Sequence, residues 1–129
     1  MDLKDYFEKV RGRGVLATAD SEGKVDAAVY SRPHVMGEDT VAFIMRDRLT
    51  HHNLQSNPHA AYLFMESGEG FLGKRLFLTK TREEKDTDLA RQLRRRKYPD
   101  DDKGPLFLVF FHVDKTIPLI GPGEEGQEN

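Results

Sequence analysis

The apolar positions of the chain change period several times. Leu3, Tyr6, Phe7 and Val10 recur at i, i+3, i+4 and i+7, the stripe of a short amphipathic helix, with Asp2 as its N-cap and Gly12 and Gly14 as its stop. The period then shortens to that of strands. Gly14–Ala19 (GVLATA) is predicted as a buried strand, Asp20-Ser21-Glu22-Gly23 as a turn, and Val25, Ala27 and Val29 alternate along a second strand. After Pro33 and the turn at Gly37-Glu38-Asp39, Val41–Met45 (VAFIM) forms a third. A short polar helix is expected from Thr50 to about Asn57, because the residue before Pro58 is pushed out of the helical region. Ala60–Met65 and Arg75–Lys80 read as strands four and five around a glycine-rich turn at Ser67–Gly73. Thr81-Arg82-Glu83-Glu84 fits a capping box that opens a helix to about Arg96. Leu106–Val113 (LFLVFFHV), the most apolar stretch, is expected as a central sixth strand, and the Gly/Glu-rich tail from Gly121 as disordered.

Six strands with short flanking helices describe a small α+β barrel. Most connections are too short for parallel crossovers, so the sheet is expected to be mainly antiparallel. A chain of 129 residues has room for one such domain, over residues 1–120, and the tail 121–129. With its 11 glycines the apolar set reaches about 46%, inside the globular range of about 45–50%. The formal charge of -2 gives no global field for a nucleic acid or an anionic membrane, and neither partner is expected. The absence of cysteine removes disulfides, thiolate metal sites and cysteine nucleophiles. No apolar run approaches the ~18 residues of a membrane span, and the charged start lacks a signal-peptide core, so a cytoplasmic protein is expected.

The chemistry concentrates in Phe43–Pro58, FIMRDRLTHHNLQSNP. A buried strand empties into a turn with two arginines, and a helix begins at Thr50 with a histidine pair in its first turn. Free N–H groups at a helix start suit an anion, and Arg46, Arg48, Thr50, His51 and His52 add cationic and hydroxyl donors. A phosphate is the natural guest. The alternative is an N-capped surface helix whose arginines face water.

The order strand, polar turn, Thr with a following basic residue, helix ending in Asn-Pro and a further apolar strand resembles a known family. It is carried by VAFIMRDRLTHHNLQSNPHAAYLF (Val41–Phe64), with the opening helix, the hairpin GVLATADSEGKVDAAVY and the final strand in support. The family is that of FMN-binding split β-barrels related to pyridoxamine 5'-phosphate oxidase. The resemblance implies FMN as cofactor, with the deazaflavin F420 as the alternative. It implies that Tyr30, Ser31 and Arg32 lie along the flavin ring and ribityl chain. Ile44, Met45 and Arg46 would line the ring or its polar edge, and Leu49, Thr50, His51 and His52 would hold the phosphate. It also implies a homodimer with flavin at the subunit boundary, where Lys74 and Arg75 reach the partner's cofactor.

Two departures shape the expected function. His52 stands where many relatives carry lysine, so phosphate affinity is expected to weaken as histidine loses its charge with rising pH. The ending TIPLIGPGEEGQEN has no counterpart of the Arg- and Trp-rich strand with which true pyridoxamine phosphate oxidases grip substrate. A small flavin-dependent oxidoreductase or redox carrier is therefore expected, rather than that oxidase. The rivals are an F420-dependent reductase, a flavin-binding sensor or stress module without turnover, and a basic-helix nucleic-acid adaptor.

Three further features have blander readings. Adjacent His51 and His52 point about 100° apart on a helix, and no H-x-x-x-H spacing occurs, so no metal site is expected. The run Arg94–Lys97 is followed at once by Asp100–Asp102 and reads as a solvated helix face. The phenylalanines read as core or dimer interface, with Phe71 in its glycine-rich loop the one placed to stack on a ring.

Overall fold

The computed structural model describes residues 2–94 and 104–122. The elements run α1 (Leu3–Lys9), β1 (Gly12–Ala19), β2 (Val25–Tyr30), β3 (His34–Val35), β4 (Thr40–Arg46), α2 (Leu49–Ser56), β5 (His59–Glu66), β6 (Gly73–Lys85), α3 (Asp88–Leu93) and β7 (Leu106–Pro118). The strands form one sheet in the order β2-β1-β5-β6-β7-β4-β3, with every neighbouring pair antiparallel. The expected tail beyond Pro122 and the run Arg95–Lys97 with Asp100–Asp102 lie outside the described residues.

Asp2 caps α1 as its side chain takes the Asp5 amide at 2.8 Å, and Tyr6 and Phe7 are the face the helix buries. Their rings meet Phe64 edge-on, with centroids 5.9 and 5.2 Å away. Leu16, Phe43, Tyr62, Phe64, Leu76 and Phe111 complete a core that draws on β1, β4, β5, β6 and β7. Tyr30 at the end of β2 sets its ring edge-on to Phe43 of β4, centroids 5.9 Å apart. Strands far apart in sheet order therefore meet, and the sheet is curled.

The sequence reading needs three corrections. The seventh strand is β3, which pairs only His34 with Ala42 and Val35 with Val41 and is too short to leave a period in the sequence. The supposed capping box is strand. β6 continues to Lys85, with Arg82, Glu83, Glu84 and Lys85 opposite Phe110, Val109, Leu108 and Phe107, and the Thr81 hydroxyl donates to the Phe110 carbonyl. The ladder to the most apolar strand outweighs a local helix signal. The third helix instead begins after Thr87, whose hydroxyl accepts from the Ala90 amide at 3.2 Å.

The outer face of the sheet carries a run of apolar side chains. Val29 of β2, Val15 of β1 and Leu63 of β5 lie side by side in register, and Ala27, Ala17, Ala61 and Phe77 form the next row. Val29 is 82% exposed and Leu63 37%. No helix of the described residues is long and apolar enough to cross a membrane.

Candidate functional site

A cleft of about 1090 Å³ opens beside β2 and the start of α2. Small-molecule sites commonly span about 300–1,000 Å³, so the cleft has the size of a large ligand site. The walls come from the start of β1, the end of β2, the end of β4 and the first turn of α2, with Arg94 and Gly104–Leu106 closing one side. Ala28, Val29, Ile44 and Leu49 supply apolar wall. Among the described residues, six arginines (Arg11, Arg13, Arg32, Arg46, Arg48 and Arg94) line it against two aspartates, Asp26 and Asp47. In a chain of net charge -2, the described lining of the cleft is thus strongly positive.

The α2 end of the cleft presents donors of the kind that suit an anion. Arg48 is the N-cap residue, no side chain caps the helix, and its first turn holds no acidic residue. Its leading amides therefore lack intrahelical partners where the macrodipole is positive. Thr50 is buried and lines the cleft, and its side chain hydrogen-bonds the Tyr30 hydroxyl. Burial raises the Tyr30 pKa, while the Thr50 bond and the Arg48 charge act against the rise. The phenol stays a neutral donor near pH 7. The Tyr30 carbonyl also accepts from the Tyr62 hydroxyl at 3.1 Å, which fixes the end of β2 to the core.

Two of the arginines have structural duties. Arg32 Nη1 donates to the Phe7 carbonyl at 2.7 Å, closing the end of α1. Arg46 Nη1 reaches the Gly104 carbonyl at 3.5 Å, across to the segment before β7. Arg48, Arg11 and Arg13 are exposed, and none has a carboxylate in ion-pair reach among the described residues.

No protein-family model matches the chain, and no curated protein matches it. Solved structures do. An FMN-binding protein from Syntrophomonas wolfei subsp. wolfei superposes with a TM-score of 0.73 at 17% identity, over 94% of this chain and 86% of that one. An F420 reductase gives 0.70 at 15% identity, over 87% and 94%. General Stress Protein 26 of Bacillus anthracis gives 0.61 at 14% identity, over 92% and 94%. The fold is the split β-barrel of these proteins.

In this split barrel the cleft brings together Tyr30, Ser31, Arg32, Ile44, Arg46, Leu49 and Thr50 from the set read in the sequence. Met45, His51, His52 and Lys74 are not among its lining residues. Met45 alternates with Ile44 and Arg46 along β4 and points into the core, almost fully buried. His51 turns inward: its ring stacks on Phe107 and its Nε2 lies 2.9 and 3.1 Å from the Glu83 carboxylate oxygens. His52 is exposed. Lys74 sets its ammonium over the Tyr6 ring, 4.7 Å from the centroid, and Arg75 holds the Pro118 carbonyl at 3.0 Å. Phe71 is 70% exposed in its loop and is not part of the lining. Among the described residues no three His, Asp or Glu are grouped as metal ligands would be.

The sequence reading missed Arg11, Arg13 and Arg94 as lining residues. The alternation of β1 marks Arg13 as outward-facing, but only the pairing of β1 with β2, Gly14 opposite Tyr30, carries it to the cleft.

Proposed function

We propose that the cleft binds FMN and that the chain is a small flavin-dependent oxidoreductase or redox carrier. The observation that carries this reading is the uncapped, arginine-flanked start of α2, opening beside an apolar wall. A flavin mononucleotide needs both: donors for a terminal phosphate and a flat apolar surface for its ring. Arg48, the hydroxyl of Thr50 and the leading amides of α2 would hold the phosphate. Tyr30, Ser31 and Ile44 would flank the ring and its chain. When bound, the flavin supplies electron or hydride transfer, while the protein binds, orients and tunes it.

The similarity to an FMN-binding protein and to an F420 reductase supports a flavin-type guest and leaves FMN and F420 both in range. The second copy belongs to the same proposal. The apolar rows Val15–Val29–Leu63 and Ala17–Ala27–Ala61 run up to Val29, which also lines the cleft. A two-fold contact sets such a patch on its own copy, with no charge opposed to like charge, and would wall the open side of the cleft. The deciding experiment is mass identification of the ligand released when the purified protein is denatured. FMN is the expected mass; a mass matching F420 moves the proposal to that cofactor. Protein that carries neither, and takes up neither on titration, overturns it.

A further inference from the structure

We infer that the second ligand of this cleft is an anion, bearing phosphate or carboxylate, and that Arg11 and Arg13 receive it. The inference rests on the flavin reading above, since it assigns the positive charge which that reading leaves unused. The Ser67 amide donates to the Arg11 carbonyl at 2.8 Å and extends the β1–β5 ladder by one residue. Arg11 and Arg13 are therefore two apart on an extended strand, on one face and about 7 Å from each other. Both side chains are exposed, both line the cleft, and neither has a carboxylate partner among the described residues. The residue paired with Arg13 across the sheet is Met65, which offers no neutralising charge.

Two arginines two residues apart on one strand face concentrate positive charge at that edge, and a bound anion neutralises it. Their base is fixed. A Cβ on Gly12 would stand 2.2 Å from the Met65 carbonyl oxygen, and one on Gly14 would stand 1.9 Å from the Tyr62 hydroxyl. Strand β1 is thus pressed onto the β5 backbone at Gly12 and onto the Tyr62 ring at Gly14, and the two arginines project from this close-packed edge of the cleft. Arg48 stands on another element, at the start of α2. The cleft has two positive poles, one for the flavin phosphate and one for the anionic group of a reactant lying along Val29.

Calorimetric titration with inorganic pyrophosphate tests this on the parent protein, on Arg11→Gln/Arg13→Gln and on Arg48→Gln, each with and without saturating FMN. Citrate is run in parallel as the carboxylate probe. The expected result is that FMN-loaded parent still binds one of the two probes, and that the double variant binds it at least about tenfold more weakly with FMN affinity within about twofold. Arg48→Gln should show the reverse pattern. The proposal is overturned if FMN-loaded parent binds neither probe, if the double variant binds them as the parent does, or if it loses FMN affinity to the same degree. Should FMN fail to bind at all, the flavin reading falls. The flavin-free titrations then decide alone: two classes of site, each lost in its own variant, support the two poles, and one class lost only in Arg48→Gln refutes them.

Discussion

His51 lies flat on Phe107, with ring centroids 3.7 Å apart and planes 14° from parallel. The same ring points Nε2 at Glu83, whose carboxylate also takes Lys80 Nζ at 2.7 Å and Gln55 Nε2 at 3.0 Å. Helix α2, strand β6 and strand β7 are joined behind the start of α2 by this one cluster. Burial pushes the Glu83 carboxyl up, but the bonds from Lys80, Gln55 and His51 outweigh it and hold the pKa at about 2. A group depressed on folding stabilises the protein above its unfolded value, near 4.5, and loses that contribution as pH falls towards about 2. The shift bounds the contribution at about 3 kcal/mol. Urea midpoints between pH 6 and pH 2.5 should fall steeply for the parent and less for Glu83→Gln; equal slopes would remove Glu83 from the acid response.

The hydroxyl of Tyr62 occupies the place where residue 14 would carry a Cβ. Gly14→Ala must displace that ring or the strand, and with it the bond from Tyr62 to the Tyr30 carbonyl. A loss of about 1–3 kcal/mol is expected from the overpacking. Flavin affinity should fall as well, because Tyr30 lines the cleft. Chemical denaturation and a flavin titration on the same variant check both halves. A variant as stable as the parent would show that the strand moves freely.

Far from the cleft, His112 is held by Asp114 at 2.7 Å and Asp39 at 3.1 Å. The hydrogen bond to Asp114 is the foremost cause and raises its pKa; burial, next in size, works against the rise, and Asp39 adds to it. A histidine raised on folding contributes fully below its unfolded value, near 6.5, and loses the contribution as pH climbs through the raised value. The parent should lose melting temperature over that window, while His112→Asn should show a flatter profile. Identical profiles would mean that the exposed trio is silent in stability.

If a second copy covers the sheet's outer face, one charge there should separate the copies. Leu63→Glu puts that charge at the β5 end of the Val29–Val15–Leu63 row. Light scattering should find the parent as a dimer and the variant as a monomer of unchanged circular dichroism. A parent that is monomeric while binding FMN at full affinity would sink the two-fold contact.

The parts of the fold legible in the sequence are those whose partners are near in the chain. The Leu3–Val10 stripe, the hairpin around Asp20–Gly23 and the strand–turn–helix order of Val41–Asn57 all have local periods. The stretch Thr81–Lys85 misleads because its helix signal is local and its actual partner, Phe107–Phe110, lies more than twenty residues away. The histidine pair shows the same limit. Side chains about 100° apart cannot both face one site, but which of them turns inward depends on Phe107 and Glu83, from two other strands. Arg11 and Arg13 are invisible as cleft residues until β1 is laid beside the end of β2.

The most direct measurement is a paired titration of FMN and riboflavin on the parent and on Arg48→Gln. With the phosphate held at the start of α2, FMN should bind at least about 100-fold more tightly than riboflavin, the worth of two charge-assisted hydrogen bonds. Arg48→Gln should cut that preference about tenfold and leave riboflavin affinity unchanged. Equal affinities for the two flavins in the parent, or a preference that survives Arg48→Gln intact, would contradict a phosphate site at this helix.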